Sequence, residues 1–200
     1  MNIREFNTYL GSVADTELAI RKEAAKVHEN VNQIYGNNHP YFYHLNQVAT
    51  IVISYLPEII TKKEDILPVL FGAYFHDSIE DARLTYNDVM KIAKKFMNDD
   101  QSFLATEIVY ALTNEKGRNR HERANAKYYE GIRVIPYAPL VKAADRLANY
   151  TYAKSEEGKK SMEKAYKNEM TGFISLLTIC DKEKDPRYTI PKEMINELES

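Results

Sequence analysis

A chain of 200 residues with 44% apolar and 28% charged residues can bury one sizeable core and suits a single compact domain. A net charge of −2 gives no global attraction to nucleic acid or to an acidic membrane surface, so an anionic ligand needs a local basic site or a metal. The single cysteine, Cys180, excludes an internal disulfide framework and fits a reducing compartment. Seven Gly and seven Pro are too few for the turns of an all-β chain. No run approaches the roughly 18 apolar residues that span a bilayer. The N-terminal stretch has no basic segment followed by an apolar one, so no signal peptide is visible and the expected location is the cytoplasm.

Taken in order, the periodicity is helical. Leu18, Ala24, Ala25, Val27, Val31 and Ile34 share a broad face of a first helix, with Asp15 or Thr16 as its cap. The stretch IYGNNHPYFYH breaks it with Gly36, two Asn and Pro40. A second helix runs over about Tyr43–Leu56, with Leu45, Val48, Ala49, Val52 and Leu56 inward. A third covers about Lys63–Glu80, with Pro68 in its first turn or causing an offset there. Thr85 and Asp88 form a capping-box variant that opens a fourth, to about Met97, and Phe103–Leu112 makes a fifth. The basic stretch TNEKGRNRHERANAKYYEGIRV carries a helix over about Arg120–Ile132, and another begins at Pro139, a good first-turn residue. A long helix spans about Lys160–Cys180, whose apolar FISLLTIC makes Cys180 a core thiol. KDPRYTIPKE is a linker-like break before a short terminal helix over Pro191–Leu198. The expectation is an all-α chain, with one domain of six to nine helices over residues 1–182 and a C-terminal tail over 183–200.

Residues 72–85, GAYFHDSIEDARLT, place His76, Asp77, Glu80 and Asp81 directly after an apolar run. On a helix these groups fall at i,i+3 and i,i+4 and reach one region, where like charges repel. A divalent cation relieves that repulsion and holds the carboxylates ionised; the alternative is a frayed helix end with hydrated carboxylates. His44 opens the second helix. Asp145 stands among the core-like Leu140, Val141, Ala144 and Leu147, where a carboxylate needs a partner, an Arg or a metal. Two imidazoles and two carboxylates, His44, His76, Asp77 and Asp145, form an N/O set suited to Mn, Fe or Zn rather than Ca.

The blocks YFYHLNQVA, AYFHDSIEDARLT and VKAADRLAN, in that order within a helical chain, resemble the HD superfamily of metal-dependent phosphohydrolases. The finer resemblance is to the (p)ppGpp hydrolase domain of RelA/SpoT-type proteins and to stand-alone small alarmone hydrolases, over about residues 18–178. No second, synthetase domain fits in what remains. The resemblance implies that His44, His76, Asp77 and Asp145 hold a metal, usually Mn²⁺. It implies that Glu80 and Asp81 position and activate the attacking water, and that Asn149, Lys116 and Tyr166 contact the substrate, a small phosphorylated nucleotide. Arg146 reads as a structural ion-pair partner. In the family the loop before the first His is basic, whereas NQIYGNNHPYFYH keeps Gly36, Pro40 and Tyr41 but lacks Arg and Lys. In that loop Tyr35 or His39 offers a ring to a base, or simply packs. The base preference therefore stays open between a (p)ppGpp-like 3′-pyrophosphate and another nucleotide or NADPH. A binding module without turnover is a further alternative, disfavoured by the intact Glu80–Asp81 pair. A nucleic-acid partner is not expected.

Overall fold

The protein is described here by a computed structural model that covers residues 1–114, 118–178 and 185–200, without the side chains of Arg120 and His121. Three expectations lie outside the described residues: Lys116 as a substrate contact, Cys180 as a core thiol, and the boundary at residue 182.

The all-α class is as expected. Among the described residues the helices are α1 (Ile3–Ser12), α2 (Ala14–Glu29), α3 (Phe42–Ile59), α4 (Ile66–Phe75), α5 (Tyr86–Ala93), α6 (Asp99–Leu112), α7 (Arg120–Arg123), α8 (Ala126–Arg133), α9 (Ala138–Lys154), α10 (Lys160–Thr178) and α11 (Lys192–Glu199). They outnumber the six to nine expected. One addition is α1, which opens with a reciprocal capping box between Asn2 and Glu5. Another arises where the expected Arg120–Ile132 helix divides: the Asn125 side chain accepts from Tyr128 N and starts α8 afresh.

The interior is organised around α4, in which all ten residues are buried. It packs against α6, α3, α2 and α9. Full burial of each large aliphatic or aromatic side chain there is worth roughly 1.5–3 kcal/mol. Gly72 lets α6 come close, since a Cβ at that position would lie 2.5 Å from Ile108 Cγ2. On α3 the inward stripe is Leu45, Val48, Ala49, Val52 and Leu56, as the periodicity indicated. On α2 it is instead Ile20, Ala24 and His28, while Leu18 and Val31 are exposed. At the C-terminus α11 buries Met194 and Leu198 and packs on α9 and α10.

The break after α2 is a small hairpin, β1 (Ile34–Tyr35) antiparallel to β2 (His39–Pro40). Gly36 takes φ +55°, and Asn37 N donates to Tyr152 Oη on α9 at 3.1 Å. A Cβ on Gly36 would stand 2.0 Å from that oxygen. Gly36→Ala is therefore expected to cost about 1–2 kcal/mol from the left-handed backbone alone, plus displacement of the Tyr152 ring. Urea unfolding of the variant measures the loss, and an unchanged midpoint would contradict it.

Candidate metal centre

Three helices deliver four side chains to one point. His44 lies in the first turn of α3, His76 follows the last residue of α4, and Asp145 sits mid-way along α9; α3, α4 and α9 pack on one another. The Nε2 atoms of His44 and His76 are 3.3 Å apart. Asp145 Oδ1 lies 3.3 Å from His44 Nε2 and 3.7 Å from His76 Nε2. Ligand atoms of His44, His76 and Asp145 all fall within 4.8 Å of one another. Asp77 Oδ2 adds a fourth, 3.0 Å from His76 Nε2 and 3.7 Å from His44 Nε2. His44, His76 and Asp145 are buried.

The local chain explains why these atoms face inward. His76 Nδ1 lies 2.9 Å from the Ala73 carbonyl oxygen and donates to it. That carbonyl is the acceptor Asp77 N–H would use in a continuing α-helix. The third helix accordingly ends at Phe75, and residues 76–81 form turns rather than the helical extension to Glu80 expected from the sequence. The same bond commits the Nδ1 proton and turns the Nε2 lone pair toward the cluster. Asp145 is oriented by its own helix: Lys142 Nζ pairs with Oδ2 at 2.9 Å, and Asn149 Nδ2 donates to Oδ1 at 2.6 Å.

Two imidazole nitrogens and two carboxylate oxygens crowd into a space that asks for positive charge. Burial alone would lower the His76 pKa, but Asp77 and Asp145 outweigh it and raise it well above the ordinary imidazole value. Burial would raise both aspartates; His76 pulls Asp77 down, and Lys142 with the two imidazoles pulls Asp145 well down. The site therefore attracts a proton where a divalent cation would serve the same electrostatic role. The donor set, the committed Nδ1 proton and the burial all fit a metal ion of the borderline N/O class.

The acidic pair diverges. Glu80 accepts from Asn114 Nδ2 at 2.7 Å and lies 3.5 Å from Arg123 Nη1. Asp81 Oδ2 accepts from Gln33 Nε2 at 3.1 Å and from the Tyr41 hydroxyl at 3.0 Å. That hydroxyl also donates to Asp77 Oδ2, so Asp81 meets the cluster through Tyr41. Burial, then the charge of Asp77, raises the Asp81 pKa to about 6.

Two of the expected substrate contacts, Asn149 and Tyr166, line one cleft with Asp145. Asn149 Oδ1 accepts from the Tyr35 hydroxyl at 3.0 Å, and Tyr35 stacks on His44 at 4.8 Å between centroids. His39 stacks on Tyr43 and pairs with Glu157 at 2.6 Å, so both rings of the hairpin are packed. Tyr166 on α10 shares two adjoining clefts with Asn149: one bordered by Asn114, Arg123, Lys142 and Arg146, the other by Gly36, Tyr152 and Met162. Arg146 pairs with Glu169 at 2.9 Å and lies over the rings of Tyr166 and Phe173, the structural role expected of it.

Sequence reasoning missed Tyr41, Gln33, Lys142 and His28. Lys142 was visible as an i,i+3 partner of Asp145; the others act across distant parts of the chain. His28 is buried, stacks on Tyr41 at 4.6 Å, and neither ring nitrogen has a hydrogen-bond partner among the described residues. Burial lowers its pKa to about 4. The unfolded chain, with an ordinary imidazole pKa, binds more protons between that value and about 6.5, so stability falls as pH falls through this window. In EDTA, wild type is expected to lose about 2 kcal/mol more than His28→Phe between pH 7 and pH 5. Urea unfolding at both pH values checks this, and parallel losses would contradict it.

No protein-family profile and no curated protein matches the sequence. The fold is similar to that of a solved metazoan ortholog of SpoT, which hydrolyzes ppGpp and plays a role in starvation responses: TM-score 0.62, 19% identity, 92% of this chain and 93% of that chain. Among the described residues no helix is long and apolar enough to cross a membrane.

Proposed function

We propose that the chain is a Mn²⁺-dependent phosphohydrolase that removes the 3′-pyrophosphate of a small (p)ppGpp-like nucleotide in the cytoplasm. The observation that carries this reading is the convergence of His44 Nε2, His76 Nε2, Asp145 Oδ1 and Asp77 Oδ2 within 3.0–3.7 Å contacts. The likeness of fold to the ppGpp-hydrolyzing SpoT ortholog supports it.

His44, His76, Asp77 and Asp145 would hold the ion, which when bound lowers the pKa of a water and polarises a phosphoryl oxygen. Asp81, a half-buried carboxylate tied to the cluster through Tyr41, takes the proton of the attacking water, and Glu80 orients that water. The water oxygen bonds to the phosphorus attached to the 3′ oxygen, that P–O bond breaks, and the 3′ oxygen leaves as a hydroxyl by taking a proton from solvent, to which Asp81 releases the one it took. Lys142, Arg123 and Arg146 border the cleft suited to the phosphates. Asn149 and Tyr166 stand between it and the cleft suited to the nucleoside. Lys116 is assigned to the substrate on the resemblance alone.

A second reading, a phosphatase for another nucleotide or for NADPH, is favoured by the hairpin, which offers Asn37, Asn38 and His39 where the resemblance implies cations. Phosphate and pyrophosphate release with Mn²⁺ separates the two, using ppGpp, pppGpp, ppApp, NADPH and deoxynucleoside monophosphates against an Asp77→Ala control. Pyrophosphate from ppGpp, absent in the control and in EDTA, is the expected result. Release only from another member moves the substrate. Silence across the panel with metal bound would overturn both and leave a nucleotide-binding module.

A further inference from the structure

Tyr41 touches one of the four converging atoms without being a metal-type ligand or a water-positioning carboxylate. Its hydroxyl donates to Asp77 Oδ2, the same oxygen that faces both imidazoles, and lies 3.0 Å from Asp81 Oδ2. The ring has almost no freedom. It stacks on His28 at 4.6 Å and 16°, meets the edge of Tyr35 at 6.2 Å, and meets His44 at 5.6 Å. The residue is 8% exposed. His28 contributes shape rather than hydrogen bonds, since both of its ring nitrogens are unpartnered among the described residues.

We propose that Tyr41 is a positioning residue: its hydroxyl fixes Asp77 Oδ2 against the two imidazoles and sets the separation of Asp77 from Asp81, while the His28 ring fixes Tyr41. Asp77 follows the end of α4 in a turn, where the backbone alone holds a side chain loosely. Without the hydroxyl, Asp77 Oδ2 keeps the imidazoles as neighbours but loses its Tyr41 anchor, and Asp81 loses its link to the cluster through Tyr41. Loss of an outer partner of a metal ligand typically costs about 10–100-fold in metal affinity or activity. The inference rests on the hydrolase reading for turnover only; its metal arm is independent of substrate.

Tyr41→Phe keeps the ring and removes the hydroxyl. Mn²⁺ affinity is read from the EPR signal of the free ion, and ppGpp turnover is measured at saturating Mn²⁺. The expected result is at least about tenfold weaker Mn²⁺ binding, with kcat about 10–100-fold lower and KM within about threefold of wild type. His28→Ala is expected to follow Tyr41→Phe, and it decides the matter should Tyr41→Phe not fold. Wild-type Mn²⁺ affinity and kcat in both Tyr41→Phe and His28→Ala would overturn the inference and leave the hydrolase reading intact. A wild-type protein that binds Mn²⁺ but turns over no nucleotide would overturn the hydrolase reading, and weaker Mn²⁺ binding by Tyr41→Phe would still support the inference. A wild-type protein that binds no Mn²⁺ would overturn both.

Discussion

Replacing His76 with Ala is expected to abolish stoichiometric Mn²⁺ binding and to lower phosphohydrolase turnover by about 10³-fold or more. The size follows from the several kcal/mol of transition-state stabilisation that a bound cation supplies, each 1.36 kcal/mol being tenfold in rate. His76 is singled out because its ring does two jobs. Nε2 lies 3.0 Å from Asp77 Oδ2 and 3.3 Å from His44 Nε2, and the Nδ1 bond to the Ala73 carbonyl ends α4. The variant therefore loses one donor and also leaves a buried backbone acceptor without its side-chain partner, a stability cost of about 1–3 kcal/mol. Metal content of the purified variant and its rate on ppGpp check the result. Near wild-type metal content and rate would sink the assignment of His76 as a ligand.

The second large effect is on stability. Asp145 and Lys142 form a pair at 2.9 Å with side chains only 12% and 15% exposed. Removing one partner of a buried pair leaves the other charge uncompensated, typically at a cost of 3–5 kcal/mol. Apart from Asp145, the Lys142 ammonium faces the neutral Tyr128, whose ring lies 5.7 Å away and whose hydroxyl it hydrogen-bonds without neutralising its charge. Asp145→Asn is thus expected to destabilise metal-free protein by about 3 kcal/mol. Adding Lys142→Met is expected to restore most of that stability without restoring metal binding. Asp77→Asn is expected to abolish metal binding at much smaller cost, because His76 can lose a proton and the Tyr41 hydroxyl can rotate toward Asp81 without the ring moving. Urea unfolding of the three variants in EDTA is the measurement. Equal destabilisation by Asp145→Asn and Asp77→Asn would contradict it.

What could be read in advance followed helical periodicity. The apolar stripe of α3, the wholly apolar α4, the cap of α5 and the first-turn proline of α9 are local properties, and they carry His44, His76 and Asp145 to their places. The acidic pair was harder. Its helical spacing assumed a continuous helix, whereas the His76 ring takes the Ala73 carbonyl and the chain turns, so Glu80 and Asp81 separate toward Asn114 and Tyr41. The hairpin was read only as a break, because two-residue strands have too short a pattern to show an alternation. Tyr41 and Tyr35 reach partners 36 and 114 residues away in sequence, and no local pattern encodes such pairs.

The hairpin holds a further consequence. Tyr35 stacks on His44 and donates to Asn149, which in turn holds Asp145, while Gly36 and Asn37 lean on Tyr152 at the rim of the cleft proposed for the nucleoside. The rim and two of the four donors proposed for the ion are therefore one mechanical unit. A nucleotide that shifts Tyr35 on entering shifts the support of His44 and Asp145 with it. Linkage then requires that whatever factor the nucleotide imposes on ion affinity, the ion imposes on nucleotide affinity in return.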